Sequence, residues 1–379
     1  MTAPPTWAEA IAFANAHEVP WPRDPAADPA RWGVHHEDPA PYNVLRGPVH
    51  ARGPVTGVVR QRGREVAAWG EPDRADLTFS VAKSYLAMLA GIAQADGLLP
   101  DRDEPVVARL PGIGFDTPHN GNITWTMLLQ QTSEWEGSSF GIPDTVDRWR
   151  KVGFDPNPPT GPKGGARPLQ PPGSYWEYND VRINQLSLAL LHLFGRPLPE
   201  VWRERVMQPL GCSEGWQWRG YDDAWVDLPG RRVQSVPGGT HWGGGVSIAA
   251  RDQALIGELL LRGGRHGGKQ ILREDWVRFM FSPCAIAPFY GGLLWLNRNG
   301  RSFPGASAGS AFMVGAGGHL VWIEPAHEAV VVLRWLDTAH TTGFIRRAAA
   351  ALCADGLSCP SASVSTPKRP DSSTSRIST

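Results

Sequence analysis

Ser80 and Lys83 are the residues whose types and spacing could do chemistry: a hydroxyl and an amine three positions apart in Thr78-Phe79-Ser80-Val81-Ala82-Lys83-Ser84-Tyr85-Leu86. A serine hydroxyl attacks a carbonyl only when a base within hydrogen-bond reach takes its proton. Lysine titrates near ~10.4 in water, so it serves as a base only where burial disfavours its ammonium form. The surrounding residues promise that burial. From Leu77 to Gln94 the sole charged residue is Lys83. Leu86, Leu89, Ala90 and Ala93 recur at helical spacing, while Val81, Ala82, Met88 and Ile92 cover much of the remaining circumference; a helix apolar nearly all round is a buried one. Ser80 stands where a cap is expected, with Lys83 on the same face of the first turn. A helix start also disfavours a cation and offers N–H groups to a developing oxyanion. The same spacing recurs at Ser365-Thr366-Pro367-Lys368, but prolines bar a helix there and nothing apolar could bury the amine.

The elements that must position this pair are read next. Val55 to Trp69 alternates around Arg60-Gln61-Arg62-Gly63-Arg64 as a β-hairpin, and it leads into the Ser80 helix, which ends at Asp96-Gly97 with Gly97 as a left-handed cap. Thr6 and Glu9 form a capping box for a helix to about Ala16. Residues 18 to 50 read as an irregular lead-in, with His35-His36-Glu37-Asp38 as a surface loop rather than a metal cluster, because adjacent residues do not converge on one ion. Helical candidates follow at Ile123 to Gln131 and Asn179 to Phe194, separated by a Pro- and Gly-loaded loop from Asp155 to Gly173. Ser247 to Leu261 reads as a helix after Gly243-Gly244-Gly245. From Tyr290 onward strands are predicted at Gly-Gly-Leu-Leu-Trp-Leu, from Leu320 and from Val330. Strands, a long helical insertion and strands again predict an α+β fold: an antiparallel sheet built from both ends of the chain, flanked by helices, with an inserted, mainly helical lobe. The expected divisions are a lead-in at 1–49, a sheet domain at 50–97 and 244–356, a helical lobe at 98–243 and a disordered tail at 357–379.

Two further stretches carry chemistry. Pro172-Gly173-Ser174-Tyr175-Trp176-Glu177-Tyr178-Asn179-Asp180 sets Tyr178 at a loop-to-helix junction. There a phenol could pass protons between a serine oxygen and a leaving group, or serve simply as a packing aromatic. Met313-Val314-Gly315-Ala316-Gly317-Gly318-His319 precedes a predicted strand. Its glycines either let the backbone approach a ligand closely or form a plain turn.

Taken in order, these three stretches resemble the serine β-lactamase and penicillin-binding-protein superfamily, in particular its class C-like branch with the family VIII esterases, D-aminopeptidases and 6-aminohexanoate-dimer hydrolases. Ile123-Thr124-Trp125-Thr126-Met127-Leu128-Leu129-Gln130-Gln131-Thr132-Ser133, Pro209-Leu210-Gly211 and Gly244-Gly245-Val246-Ser247-Ile248-Ala249-Ala250-Arg251-Asp252 extend the resemblance over roughly residues 50 to 355. It implies Ser80 as nucleophile, Lys83 as its base, Tyr178 as acid/base partner, and the N–H groups of Ser80 and Ala316 as the oxyanion hole. Gly315, Gly317, Trp135, Tyr175, Trp176, Trp242 and Asp180 are the expected pocket residues. The implied activity is hydrolysis of small-molecule carboxylic esters or amides, with no cofactor and no metal. Two departures matter. The family's Tyr-x-Asn is here Tyr178-Asn179-Asp180, and a carboxylate near Lys83 would favour its ammonium form, so Asp180 is expected to point elsewhere. Met313-Val314-Gly315 stands where β-lactamases carry Lys-Thr-Gly or His-x-Gly, which argues against a dedicated β-lactamase. The alternatives are a β-lactamase or D-aminopeptidase activity, or a non-catalytic relative that only binds ligands.

Rival patterns are weaker. Gly-x-Ser-x-Gly occurs around Ser213 and Ser307, with His241, His319 or His340 as conceivable bases, but neither copy has the strand-turn-helix context that elbow requires. The chain has 379 residues and zero formal net charge, which excludes an electrostatic case for nucleic acid or an anionic membrane. Four cysteines show neither metal-ligand spacing nor the density of a disulfide scaffold. With no signal-like N-terminus and no apolar run of spanning length, a cytoplasmic protein is the expectation. Oligomeric state is not legible.

Overall fold

The computed structural model describes residues 6–354; the expected tail and the Ser365–Lys368 repeat of the motif lie outside them. Six strands form an all-antiparallel sheet in the order Trp295–Leu296, Ala311–Gly315, His319–Glu324, Ala329–Arg334, Thr56–Gln61, Arg64–Trp69. The two ends of the chain meet between its fourth and fifth strands: Val58 lies opposite Val332 and Val59 opposite Val331. Side chains on one strand alternate between faces, and two neighbours show what covers each. Arg60 reaches Glu258 on the Ala250–Leu261 helix at 2.8 Å. Gln61 donates to the Leu352 carbonyl on the Thr341–Ala354 helix. One helix therefore packs on each face. The first sits close because Gly257 has no side chain: a Cβ there would meet Val330 Cγ1 at 2.6 Å. The fold is α+β.

The Ala82–Ala95 helix follows a turn that packs on the Ala311–Gly315 strand, and every residue from Ala82 to Ala93 is buried, Lys83 included. Against it lies the Asp180–Phe194 helix, capped by Asn179, whose side chain accepts from the Val181 and Arg182 N–H groups. Gly238 is pinned between the two, its hypothetical Cβ 2.4 Å from Ile183 and 2.5 Å from Leu86. The Trp125–Leu129 helix, capped by Thr124, completes the inner lobe. No regular element interrupts the stretch from Asp155 to Gly173. Residues 18 to 50 carry only two short 3₁₀ turns, yet they are tied down by bonds such as Val19 N–H to Trp335 O and Arg46 N–H to Trp242 O. Among the described residues, no helix is long and apolar enough to cross a membrane.

Several local expectations are corrected. Ser80 does not cap a helix: it lies in a 3₁₀ turn, Phe79–Val81, that runs straight into the α-helix. The Trp7–Ala16 helix forms, but the Thr6 side chain makes no capping bond. Gly245–Ile248 is a strand of a small second sheet, so the helix there begins at Ala250. Only the last two residues of Gly-Gly-Leu-Leu-Trp-Leu are extended. Ala311–Gly315, not read from the sequence, is a strand mostly buried on both faces and so lacks the alternation that marks a half-exposed one. The closing helix, Thr341–Ala354, was also unread.

Candidate active site

Phe79 takes a left-handed backbone conformation, φ +51°, which costs a non-glycine residue of order 1–3 kcal/mol and persists only where the surroundings enforce it. The surroundings do so here. Thr78 N–H bonds to Val246 O, and the Phe79 ring packs among Trp21, Trp32 and Trp335. The result turns Ser80 toward Lys83, whose Nζ lies 2.6 Å from Ser80 Oγ. Lys83 is 1% exposed, so the amine is sunk in the protein rather than in solvent. Across from this turn runs the Ala311–Gly315 strand. A Cβ on Gly315 would come within 2.2 Å of the Thr78 carbonyl, so only glycine lets that strand lie against the serine turn. Ala316 is thereby brought to the same cavity as Ser80.

Asp180 does not point elsewhere. Its Oδ1 lies 2.6 Å from Lys83 Nζ and its Oδ2 lies 2.9 Å from Arg150 Nη1. The carboxylate is fully buried, so it is a foundation under Lys83 rather than a pocket residue. It is held there because Asp180 opens its helix and its own N–H donates to Asp147 Oδ2 at 2.6 Å. Burial alone would raise the Asp180 carboxyl, but Arg150 and Lys83 outweigh it and hold it well below the ordinary range. The pairing continues outward. Arg150 meets Asp147 at 3.2 Å, and Lys163 meets Asp147 at 3.4 Å and also Asp38. Burial, reinforced by Arg150, lowers the His241 imidazole against the opposing pull of Asp38, whose Oδ2 lies 2.8 Å from it. Arg150 and Lys163 thus face Asp180, Asp147 and Asp38, with Lys83 Nζ on the other Asp180 oxygen. Asp38, Asp147 and His241 stand near enough together to hold a metal ion, but Lys163 Nζ already supplies the positive charge among them, 3.2 Å from His241.

Tyr178 is 4% exposed, with Lys83 Nζ 4.6 Å and Arg150 Cζ 5.2 Å from its ring centre. It lines a cavity of about 230 Å³ together with Ser80, Arg150, Gly315 and Ala316; Val152, Phe154, Trp295 and Val314 give it an apolar wall. Tyr175 and Trp176 line an adjoining cavity that also reaches Tyr178. The remaining expected pocket residues are not at either cavity. Trp135 and Trp242 are buried, with their indole N–H groups donating to Gly114 O and Tyr42 O. Gly317 faces Trp21 and Trp335. Each is an apolar or turn residue whose sequence neighbourhood, but not its direction, matched the cleft.

The rival serines are engaged elsewhere. Ser213 Oγ donates to Asp252 at 2.6 Å and Ser307 Oγ to Glu324 at 2.5 Å; among the described residues neither bonds to a histidine. Sequence reasoning missed Arg150, Asp147, Lys163 and Asp38. Asp38 belongs to the run read as a surface loop: His36 and Glu37 are indeed exposed, but His35 and Asp38 are buried. The cluster as a whole had no signal in spacing, since Asp38, the Asp147–Arg150 pair and Lys163 come from three separate stretches outside the long helices and strands.

Comparisons with known proteins bear on the family and the fold. A family model described as Beta-lactamase matches residues 43–354. No curated protein matches the sequence. Among solved structures, a putative 6-aminohexanoate-dimer hydrolase from Bacillus anthracis is similar at 18% identity and TM-score 0.58, covering 78% of each chain. A penicillin-binding protein homolog from Caulobacter crescentus is similar at 16% identity and TM-score 0.57, covering 84% of this chain and 95% of its own. EstCE1, a hydrolase with promiscuous acyltransferase activity, follows at 19% and 0.56, covering 78% and 93%. At these identities the structures speak to the fold, and the family model speaks to descent. The chain belongs to the beta-lactamase family of serine hydrolases.

Proposed function

We propose that this protein hydrolyses carboxylic esters or small amides through an acyl-enzyme on Ser80. In this reading Ser80 Oγ attacks the substrate carbonyl carbon while its proton passes to Lys83 Nζ. The N–H groups of Ser80 and Ala316 hold the oxyanion; losing one such donor typically costs about 10²–10³-fold in turnover. Tyr178 hands a proton to the departing alkoxide or amine, the acyl group stays on Oγ, and water then releases the acid by the same steps in reverse order. Asp180 stabilises positive charge on Lys83, and Arg150, by sharing that carboxylate, limits how much of it Lys83 receives.

The observation that carries this reading is the 2.6 Å contact between a buried amine and a serine hydroxyl on a cavity floor. The apolar cavity wall supports an uncharged acyl group. Val314 lines the cavity from the strand where β-lactamases present a cation, and Arg150 is already paired with two carboxylates, which supports esters over β-lactams. The test is p-nitrophenyl butyrate hydrolysis with a fluorophosphonate label located by mass spectrometry. Ser80→Ala abolishes turnover and the label sits on Ser80. Turnover surviving in Ser80→Ala, or a label on Ser307, overturns the assignment.

A further inference from the structure

The second cavity holds a group that the hydrolytic steps do not use. It encloses about 260 Å³ and is walled by Tyr175, Trp176, Tyr178 and Phe289, with Arg150, Glu177 and Asp155 as its charged lining residues. Two of these three charges are already balanced. Arg150 lies against Asp147 and Asp180. Glu177 lies against Arg167 at 2.6 Å and Arg182 at 3.3 Å. Asp155 has no such partner: it is 9% exposed, one carboxylate oxygen accepts the Asn157 N–H at 2.8 Å, and among the described residues no cation lies within ion-pair distance. A buried carboxylate without a counter-charge is costly, and burial accordingly raises its pKa. Arg167 already lies over the Tyr175 ring, and Lys83 and Arg150 over the Tyr178 ring, so it is the Trp176 and Phe289 rings beside one unbalanced negative charge that favour an alkylammonium group, through ring contact and charge together.

The placement gives the cavity its role. Tyr178 lines both cavities, while Ser80, Gly315 and Ala316 line only the first. A group that leaves past Tyr178 therefore enters the second. We propose that the Asp155 cavity is a leaving-group subsite for a cationic alcohol or amine, so that substrates bear a substituted ammonium on the side that departs. This rests on the acyl-enzyme reading above and adds the substrate class to it.

Two measurements on the full chain test it. The first compares kcat/KM for butyrylcholine and for 3,3-dimethylbutyl butyrate, which has the same shape without the charge. The wild-type protein favours the choline ester at least tenfold, and Asp155→Asn brings the ratio close to one. The second is calorimetric titration with phenyltrimethylammonium chloride, which binds wild type saturably and Asp155→Asn at least tenfold more weakly. Equal rates for the two esters in the wild-type protein, or no saturable binding, overturn the proposal without requiring any variant to fold. Unchanged ratio and binding in a folded Asp155→Asn overturn it too. If Ser80→Ala keeps turnover, the acyl-enzyme reading fails, while the titration still judges the cavity by itself.

Discussion

Two buried charge clusters lie in the lobe side of this molecule, alike in composition and opposite in finish. In one, Arg148, Arg167 and Arg182 face Glu134, Glu177 and Asp144. Arg167 holds Glu134 with two bonds of 2.6 Å, Arg182 adds a third at 2.8 Å, and Gln170 N–H a fourth at 2.9 Å. In the other, Lys83, Arg150 and Lys163 face Asp180, Asp147 and Asp38. There both Asp180 oxygens, Asp147 Oδ1 and His241 Nδ1 lack a well-directed hydrogen bond despite close ion pairs. The first cluster closes on itself and clamps the Arg167–Glu177 strap to the helix that follows Tyr178. The second opens onto the cavity through Arg150 and stops at Ser80. A fully bonded network rigidifies; a partly bonded one keeps groups available for charge that appears during reaction. Equal numbers of charges therefore say nothing about role, and bond direction says a great deal.

Breaking the open cluster at its inner end has the largest expected effect. Lys83→Ala lowers kcat/KM for p-nitrophenyl butyrate by about 10²–10⁴-fold, the usual range for a lost acid/base group. A loss below tenfold removes Lys83 from the proton path. Breaking the closed cluster acts on folding instead. Glu134→Ala leaves Arg167 with Glu177 alone and Arg182 with Glu177 and Asp144 and costs about 3 kcal/mol, read by urea denaturation, while turnover per folded molecule changes far less than in Lys83→Ala. If instead stability holds and turnover collapses, the contrast between the clusters is wrong. Arg150→Ala falls between them, slowing turnover roughly 10- to 100-fold. Arg150→Lys recovers only part of this, because an ammonium cannot bridge Asp147 and Asp180 as a planar guanidinium does.

The smallest effect is a pH dependence. Burial would raise the Glu134 carboxyl, but the Arg167 hydrogen bonds and the Arg182 charge bring it from 4.5 down to about 2. A carboxyl whose folded pKa lies below its unfolded one gives stability that is complete above pH 4.5 and lost as pH falls toward 2. The melting temperature accordingly declines over that window, and in Glu134→Gln this part of the decline disappears. An unchanged slope in the variant shows that other carboxylates govern acid unfolding.

Much of the frame was legible because it is local. The uniform apolarity around Lys83 announced a buried helix, the alternation from Val55 to Trp69 a hairpin, and Asn179 a helix start. The two-sided burial of Ala311–Gly315 erased the pattern that would have shown it as a strand. Asp180 was read correctly as the departure of interest but aimed the wrong way. One carboxylate beside one lysine looks unfavourable to a base until Arg150, thirty positions upstream, is placed on its other oxygen.

By itself, then, the sequence determined the serine–lysine pair, the helix that buries it and the tyrosine at the loop junction. Those features depend on spacings of a few residues, which helical geometry converts directly into proximity. Only the tertiary structure decided the electrostatics: which carboxylate stands under Lys83, which cations share it, and that Asp155 finds none among the described residues. Charges couple through space and burial rather than along the chain, so no reading of adjacent letters could assign them.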